Sequence, residues 1–251
     1  MDDGALLDAL GARSGIVCVV GAGGKKSIMA ALAAAHPGRV GLSATTRFPP
    51  LPAGVGDVRL TLDDPASEDG VVAVAREHRV VVFTGPASGV DRLEGLPPAT
   101  IAALHEAAGF DLTVVKADGA RMRLIKAPGA GEPRLVPGAT TVLLVVSARA
   151  VGRPLDDRVA HRPERIAALT GTGLGTAIAP ATVARLLVVL AASLAHGGTA
   201  RVIPVINMAD DDTLCATAQA IARESLCNRP MFDRIIVSSF VGEPAILVIQ
   251  P

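Results

Sequence analysis

The sequence contains no tryptophan and no tyrosine, and its 251 residues include only five phenylalanines. Proteins that bind single-stranded nucleic acid usually stack the bases on aromatic side chains. Lysine plus arginine number 24, the same as aspartate plus glutamate. Because the net charge is zero, no overall positive field attracts a nucleic-acid backbone or an anionic membrane. We therefore expect neither nucleic acid nor a membrane as a partner.

Cysteine and histidine are scarce, with three and five residues respectively. Cys18, Cys215 and Cys227 form no C-x-x-C pair and no H-x-x-x-H spacing occurs, so the spacings typical of a zinc site are missing. A few unpaired cysteines are typical of a reducing compartment. Asp2 and Asp3 are acidic where a signal peptide would be basic. We therefore expect a cytoplasmic protein.

No apolar run is long enough to cross a bilayer, and the longest covers residues 186–195 within an amphipathic helical pattern. Short apolar runs alternate with helical patterns, which indicates an α/β fold with a mainly parallel, doubly wound sheet flanked by helices. Predicted helices cover residues 2–12, 25–35, 67–78, 98–109, 163–169, 181–196 and 211–227. Predicted strands cover residues 16–20, 39–43, 58–62, 79–84, 112–117, 141–146, 201–206, 234–237 and 245–249. We expect a single domain over residues 1–251, with a small irregular insertion at 119–139.

A glycine-rich loop separates the first of these strands from the helix that follows it. Its sequence is Gly21-Ala22-Gly23-Gly24-Lys25. Glycines let backbone N–H groups turn toward a phosphate, the helix N-terminus adds partial positive charge, and Lys25 would reach the outer phosphates. The loop is shorter than G-x-x-x-x-G-K-[ST] and resembles the compact loop of Mur-type ATP-dependent ligases. Within a parallel α/β sheet, this loop predicts a P-loop NTPase-like domain. The alternative is a glycine turn without a ligand.

Polar residues follow several of the predicted strands, at the edge where ligands bind in open α/β sheets. Asp118 ends an apolar strand that resembles a Walker-B strand, so it is predicted to act with Lys25 in catalysis and to hold a metal. Lys26 stands where a magnesium-binding Ser or Thr is expected, and Ser27, one place later, is the other candidate ligand. Asp118 alternatively caps a turn before Gly119.

Two further strand ends are predicted to contact the nucleotide. Thr45, Thr46 and Arg47 offer hydroxyls and a guanidinium to a γ-phosphate, although hydroxyls at a strand end also cap loops. Asn207 and Asp210 are spaced as in the N-K-x-D element with which GTPases read guanine, but Met208 replaces its lysine. An Asn-x-x-Asp match at a strand end is common by chance, so the alternative here is a turn.

A second group of polar residues has no evident packing role. It includes Arg121, Lys126 and Glu132 in the proline-rich and glycine-rich stretch, and His161 before a helix that starts with proline. We predict that these four side chains line a pocket for a second substrate. A solvated loop is the alternative, and His161 alternatively lies on the surface.

With these residues in view, the chain resembles the YqeC family, the accessory proteins of selenium-dependent molybdenum hydroxylases. The segment from Ala117 to Pro133 is the most specific match. The matching pieces are Gly21–Lys25, Thr45–Arg47, Arg92–Gly95, Ala117–Arg121, Lys126–Pro128, Glu132–Pro133, His161–Glu164 and Asn207. The resemblance implies a P-loop nucleotide-binding protein that takes part in maturing a molybdenum hydroxylase cofactor.

The chain departs from the family pattern at the predicted phosphate site. Family members tend to have Thr or Ser where this chain has Lys26, and Glu where it has Lys116; the family's His before Glu132 is Gly131. Two groups that would support a metal are thus ammonium groups, so Mg²⁺ is doubtful while anion binding is expected to survive. Alternatively Lys26 points to solvent and Ser27 holds the metal.

The sequence therefore predicts a protein that binds ATP or GTP and assists the maturation of a molybdenum hydroxylase or a selenium-linked cofactor. Its expected partners are the nucleotide and a molybdenum hydroxylase or its maturation proteins. Two other functions stay open: an adaptor that presents a phosphorylated ligand without turnover, and a Mur-like ATP-dependent ligase or small-metabolite kinase.

Overall fold

A computed structural model describes residues 2–63, 67–89, 91–196, 199–227 and 232–251. Its strands are β1 (Gly15–Gly21), β2 (Val40–Ala44), β3 (Val58–Thr61), β4 (Val80–Thr84), β5 (Leu112–Lys116), β6 (Ile125–Lys126), β7 (Ala139–Ser147), β8 (Ala160–His161), β9 (Arg201–Asn207), β10 (Ile235–Ser239) and β11 (Ala245–Ile249). Its helices are α1 (Asp3–Ala9), α2 (Lys25–Ala35), α3 (Ser67–Val74), α4 (Pro98–Ala108), α5 (Pro163–Thr170), α6 (Pro180–His196) and α7 (Asp212–Cys227). A short 3-10 helix covers Ala148–Ala150.

The central feature is a nine-stranded sheet in the order β11-β10-β9-β7-β1-β5-β2-β4-β3. Every neighbouring pair is parallel except β10 and β11, which are antiparallel. Parallel strands need crossover connections, which the helices between them supply. The predicted α/β class with a mainly parallel sheet flanked by helices is confirmed, and the arrangement is that of a P-loop NTPase-like fold.

Both faces of the sheet are covered, which explains why its strands read as continuous apolar runs. On β1, Val17 and Val19 pack with α1 and α2, whereas Cys18 and Val20 pack with α3 to α7 on the opposite face. Burial raises the pKa of the Cys18 thiol to about 11, against a small opposing effect of the Val136 N–H group. Cys18 is therefore a packing residue, as its place in the strand predicts.

The boundaries of several elements differ from the sequence prediction. The helix predicted over residues 67–78 ends at Val74, because the chain then tightens into bonds from Arg76 to Ala73 and from Glu77 to Val74. The predicted irregular insertion contains β6, which pairs in parallel with β8. Two-residue strands carry too little periodicity to be found from sequence.

The most apolar stretch of the chain lies in α6, a helix of 17 residues. Its buried side, which includes Val183, Leu186 and Leu187, packs on the sheet, while Arg185 faces outward. The prediction that residues 186–195 belong to a longer helix is confirmed. Across the described residues, no helix has the length and apolar character needed to cross a lipid bilayer.

We predict that Gly21→Ala destabilises the fold. Gly21 has φ 89°, and a Cβ there would overlap the backbone carbonyl of Val145 on the neighbouring strand. The strain and overlap should lower the free energy of unfolding by about 3 kcal/mol, measured by urea denaturation. Gly70→Ala is the matched control: it lies in α3 with open space around it, so it should raise stability by about 0.5–1 kcal/mol. An equal effect of the two changes would contradict the prediction.

Candidate functional site: a cationic cleft at the carboxyl edge of the sheet

The glycine loop runs from the end of β1 to the first residue of α2. Gly24, the N-cap of α2, has φ 105°, and a Cβ there would overlap the side-chain amide of Asn207. That amide donates to the Gly23 carbonyl at 2.8 Å, and its oxygen accepts from the Ser238 hydroxyl at 3.1 Å. The loop therefore needs glycine for its close approach to β9, and Asn207 holds it in place.

Only part of the loop backbone faces the cleft. The Gly21 N–H donates to Asp118 Oδ2 at 2.8 Å, and the Ala22 N–H donates to the Val145 carbonyl at 2.9 Å. The first turn of a helix leaves its N–H groups without partners in that helix. The groups placed to meet an anion are therefore those of Gly23 to Lys26, at the positive end of α2.

Asp118 is the centre of a buried charge network. Its Oδ1 lies 2.5 Å from Lys25 Nζ, and its Oδ2 lies 2.9 Å from Lys126 Nζ. Lys25 also donates to the Gly21 carbonyl. Burial lowers the pKa of Lys25, while Asp118 opposes that shift. The predicted catalytic pair, Lys25 and Asp118, thus forms a buried ion pair that joins the loop to the segment after β5.

Glu132 forms a second anionic centre beside the first. Its Oε2 accepts from Lys126 Nζ and from Arg162 Nη1, each at 2.9 Å, and from the Gly129 N–H at 3.0 Å. Burial alone would raise the pKa of Glu132, but the Gly129 N–H and the Lys126 ammonium outweigh it and hold the pKa at about 2. Lys126 is therefore shared between the carboxylates of Asp118 and Glu132.

Lys116, at the end of β5, is a third buried ammonium group in this network. Its Nζ donates to the Asp118 carbonyl at 2.5 Å and to Thr46 Oγ1 at 3.3 Å, and it lies 5.8 Å from the centre of the Phe48 ring. Burial, followed by repulsion from Lys25, lowers the pKa of Lys116 to about 7. Lys116 therefore adds a third ammonium group to those of Lys25 and Lys126.

These elements surround a cleft of about 1040 Å³, which is large enough for a nucleotide-sized ligand. Eight lysine and arginine side chains line it, against a single carboxylate, Glu132, among the described residues. The cationic side chains are Lys25, Lys26, Arg47, Arg92, Lys116, Arg121, Arg123 and Arg162. A chain without net charge therefore concentrates positive charge at one site, which favours a ligand with several negative charges.

The other predicted phosphate contacts are placed at different depths. Thr46, Arg47, Lys26 and Ser27 line the cleft. The Lys26 ammonium donates to the Pro50 carbonyl at 3.2 Å, so it lies along the cleft wall, and burial together with Arg92 lowers its pKa. The completely buried Thr45 donates its hydroxyl to the Arg134 carbonyl at 2.8 Å, outside the cleft lining.

The predicted base-reading residues have partners within the protein. Asp210 accepts from Arg149 Nη2 and from the Ser239 hydroxyl, each at 2.7 Å. Asn207 braces the glycine loop, as described above. Met208, between them, lines the cleft with φ 63°. The structure therefore brings Met208, rather than Asn207 or Asp210, to the lining of the cleft.

The predicted second-substrate residues divide between the cleft and the protein interior. Arg121, Glu132 and His161 line the cleft. Lys126 is 2% exposed and contacts the two carboxylates instead. Burial, with nearby cations led by Arg162, lowers the pKa of His161. The pocket is thus cationic on this side as well.

The assignment of site residues from sequence missed several cleft residues, among them Arg92, Met122, Arg123, Arg162 and Met208. Arg92 and Arg162 lie in two of the sequence segments that resemble the family, so the resemblance could have identified them as site residues. Nothing in the local pattern marks Met122 or Arg123, because their position depends on the turn in which they lie.

Asp118, the carboxylate predicted to hold a metal, already has several partners within the protein. Asp118 accepts from two ammonium groups and one N–H group, and a magnesium ion there would have to displace at least one of them. Ser27 lies exposed in the cleft. Within the described ranges, no three His, Cys, Asp or Glu side chains are grouped to hold a metal ion. The donors present suit an anion better than a hard cation.

Comparison with known proteins gives two matches. The model of a protein family described as "YqeC protein" matches residues 17–164, which include the glycine loop, Asp118 and His161. A protein of Escherichia coli strain K12, described as "Uncharacterized protein YqeC", is 30% identical over 175 residues, which are 68% of this chain and 67% of that protein.

We predict that Glu132 contributes to stability at neutral pH and loses that contribution in acid. Its pKa is about 2 in the folded protein against an ordinary 4.5, so the contribution is full above pH 4.5 and disappears as the pH falls toward 2. Calorimetric Tm values between pH 2.5 and 7 should fall less steeply for Glu132→Gln than for the unmodified protein. Glu164→Gln, an exposed carboxylate in the first turn of α5, should leave the slope unchanged. Equal slopes for all three proteins would contradict the prediction.

Proposed function

The chain belongs to the YqeC family, and on that premise we propose that it binds ATP or GTP as an accessory protein in the maturation of a molybdenum hydroxylase, with a link to selenium. The single observation that supports nucleotide binding is the cationic cleft built around the glycine loop. The role in molybdenum-enzyme maturation rests on the family resemblance of the sequence motifs.

The phosphates would lie at the start of α2. The N–H groups of Gly23 to Lys26 and the helix dipole provide neutral donors there, and Lys25, Lys26, Arg47 and Arg92 provide charge. At ~4 Å near a protein surface, each favourable charge contact contributes ~1–4 kcal/mol. Three or four such contacts would suffice for micromolar binding after the costs of association.

Lys26 and Lys116 would supply part of the charge that magnesium supplies in related sites. Both line the cleft, Lys26 from the first turn of α2 and Lys116 from the end of β5. Because Asp118 is engaged by Lys25 and Lys126, the metal has no unengaged carboxylate at this position. We therefore propose that the nucleotide binds with little dependence on Mg²⁺.

The crowding of Asp118 also bears on catalysis. A carboxylate that accepts from two ammonium groups is poorly placed to hold a metal or to accept a proton from water, which favours an adaptor that binds and presents its ligand. The cationic lining at Arg121, Arg123 and Arg162 favours a second candidate, a ligase or kinase that acts on a small anionic metabolite. Product analysis separates them: no turnover indicates the adaptor, ADP with free phosphate a hydrolase or ligase, and a phosphorylated metabolite a kinase.

The maturation role is tested in cells that normally produce this protein. Deletion of its gene should lower the activity of molybdenum hydroxylases while leaving the amount of their polypeptides unchanged. Reintroduction of the unmodified chain should restore activity, whereas Arg92→Gln, which removes a cation of the cleft, should restore less. Full hydroxylase activity after deletion would overturn this role but not nucleotide binding.

We predict that Lys25→Met weakens ATP and GTP binding by more than tenfold, a loss of at least ~1.4 kcal/mol, in calorimetric titrations. Because Lys25 is buried against Asp118, the Tm of the variant must be recorded to show that it is folded. Arg92→Gln is the second variant, since its removal leaves no buried carboxylate unpaired. Arg223→Gln is the control, an exposed cation on α7 that contacts Gln219. Unchanged affinity in both cleft variants would exclude the phosphate site.

We also predict that chelation of Mg²⁺ with EDTA changes nucleotide affinity by less than about threefold, because the lysines of the cleft already neutralise the phosphates. Lys26→Thr combined with Lys116→Glu restores the family pattern and should make binding depend steeply on Mg²⁺. The nucleotide affinities of both proteins are compared in titrations with excess Mg²⁺ and with EDTA, at constant ionic strength. Brisk magnesium-dependent hydrolysis by the unmodified protein would instead favour Ser27 as a metal ligand.

A further inference from the structure

Two methionines line the cleft, and both have a left-handed backbone conformation. Met122 has φ 61° and its side chain is 79% exposed, while Met208 has φ 63°. Left-handed φ values are uncommon for residues other than glycine, asparagine and aspartate, and they persist where the surrounding structure enforces them. An apolar side chain held in this way at the wall of a charged cleft indicates a ligand that has an apolar surface as well as charge.

The position of Met208 is set by the glycine loop and by Ser147. The Ser147 hydroxyl donates to Met208 Sδ at 3.1 Å, and the Met208 methyl carbon lies 3.6 Å from the point where a Cβ on Gly24 would stand. The thioether thus sits directly beside the loop that would hold the phosphates. A base attached to those phosphates through a ribose would come within reach of this side chain.

Met122 belongs to a turn that is joined to the same wall. The Arg123 N–H donates to the Ala120 carbonyl at 2.9 Å, which closes a turn whose central residues, Arg121 and Met122, both have positive φ. The Ser147 N–H donates to the Leu124 carbonyl at 3.1 Å. Ser147 therefore connects the turn that carries Met122 to the thioether of Met208.

Among its described lining residues the cleft has no phenylalanine, tyrosine or tryptophan, and the imidazole of His161 is its one aromatic ring. Methionine is the apolar side chain that adapts best to a flat ring, because its thioether is flexible and polarizable and makes favourable contacts with aromatic systems. We propose that Met122 and Met208 hold the heteroaromatic base of the nucleotide through thioether contacts. This inference rests on the proposed nucleotide binding and adds the means by which the base is held.

The same arrangement has a consequence for base specificity. Asp210, the carboxylate spaced to read guanine, is engaged by Arg149 and by Ser239. Thioether contacts depend on the aromatic face, which adenine and guanine share, and not on the hydrogen-bonding edge that distinguishes them. The site therefore binds ATP and GTP with affinities within about threefold of each other.

The direct test uses protein labelled with ¹³C at the methionine methyl groups. The chain contains five methionines, and the spectra of Met122→Leu and Met208→Leu assign the two signals of interest. ATP and GTP should each move both signals upfield through the ring current of the base, while inorganic tripolyphosphate, which has no ring, should not. The signal of Met29, completely buried in the core, is the internal control and should stay in place.

Affinity measurements provide the second arm. Met122→Ala and Met208→Ala should each lower the affinity for ATP and GTP by at least threefold and equally, and leave the affinity for tripolyphosphate unchanged. Met122 is largely exposed, so Met122→Ala keeps the test valid if Met208→Ala proves unstable in a melting experiment. A loss of nucleotide affinity accompanied by the same loss of tripolyphosphate affinity would overturn the assignment of these residues to the base.

The outcomes separate this inference from the proposed function. If tripolyphosphate and nucleotides bind but neither methionine signal moves with ATP or GTP, the methionine contacts are overturned and the phosphate site stands. If none of the three ligands binds, both fall. A preference for GTP above tenfold that is abolished by Asp210→Ala would overturn the explanation by contacts to the aromatic face. It would indicate instead that Asp210 recognises guanine.

Discussion

The structure of the site depends on the buried carboxylate of Asp118. It joins three separate parts of the chain: the glycine loop through the Gly21 N–H and Lys25, the segment directly after β5 on which it lies, and the insertion through Lys126. A buried ion is stable only when it is well paired, and removal of one partner leaves an uncompensated charge in the interior. The network therefore sets the position of the loop before any ligand arrives, so the shape of the cleft is a property of the fold.

The distribution of charge matters more here than its sum. The chain has equal numbers of acidic and basic residues, yet eight cations and one carboxylate line the cleft in the described structure. Buried acidic groups such as Asp118 offset the lysines beneath the surface, while the guanidinium groups of Arg47, Arg92 and Arg121 remain at the opening. Overall composition excludes a general attraction to large polyanions but carries no information about local charge, and the folded chain combines overall neutrality with one cationic cleft.

The sequence predicts the sheet, its helices and the edge at which the site lies, because these follow from apolar runs and from the local order of strand, glycine loop and helix. It places Gly23, Lys25, Thr46 and Arg121 in one region correctly for the same reason. It could not foresee how their side chains pair, since the Lys25–Asp118 contact joins residues 93 positions apart and depends on the neighbouring register of β1 and β5. The interior position of Lys126 likewise follows from the pairing of β6 with β8. These strands are too short to show a hydrophobic periodicity in the sequence.

In the ion pair between Lys25 and Asp118, the carboxylate of Asp118 competes with any external anion for Lys25. An anion that reaches the loop does not meet a bare cation; it must offer Lys25 more than a carboxylate at 2.5 Å already provides. A singly charged ion such as chloride or acetate gains little from that exchange. An anion with several charges would also meet Lys26, Arg47 and Arg92, which line the same cleft, and their added attraction would offset the loss of the internal partner. The interior carboxylate would thus select ligands by the number of charges they carry, against singly charged ions and in favour of polyanions.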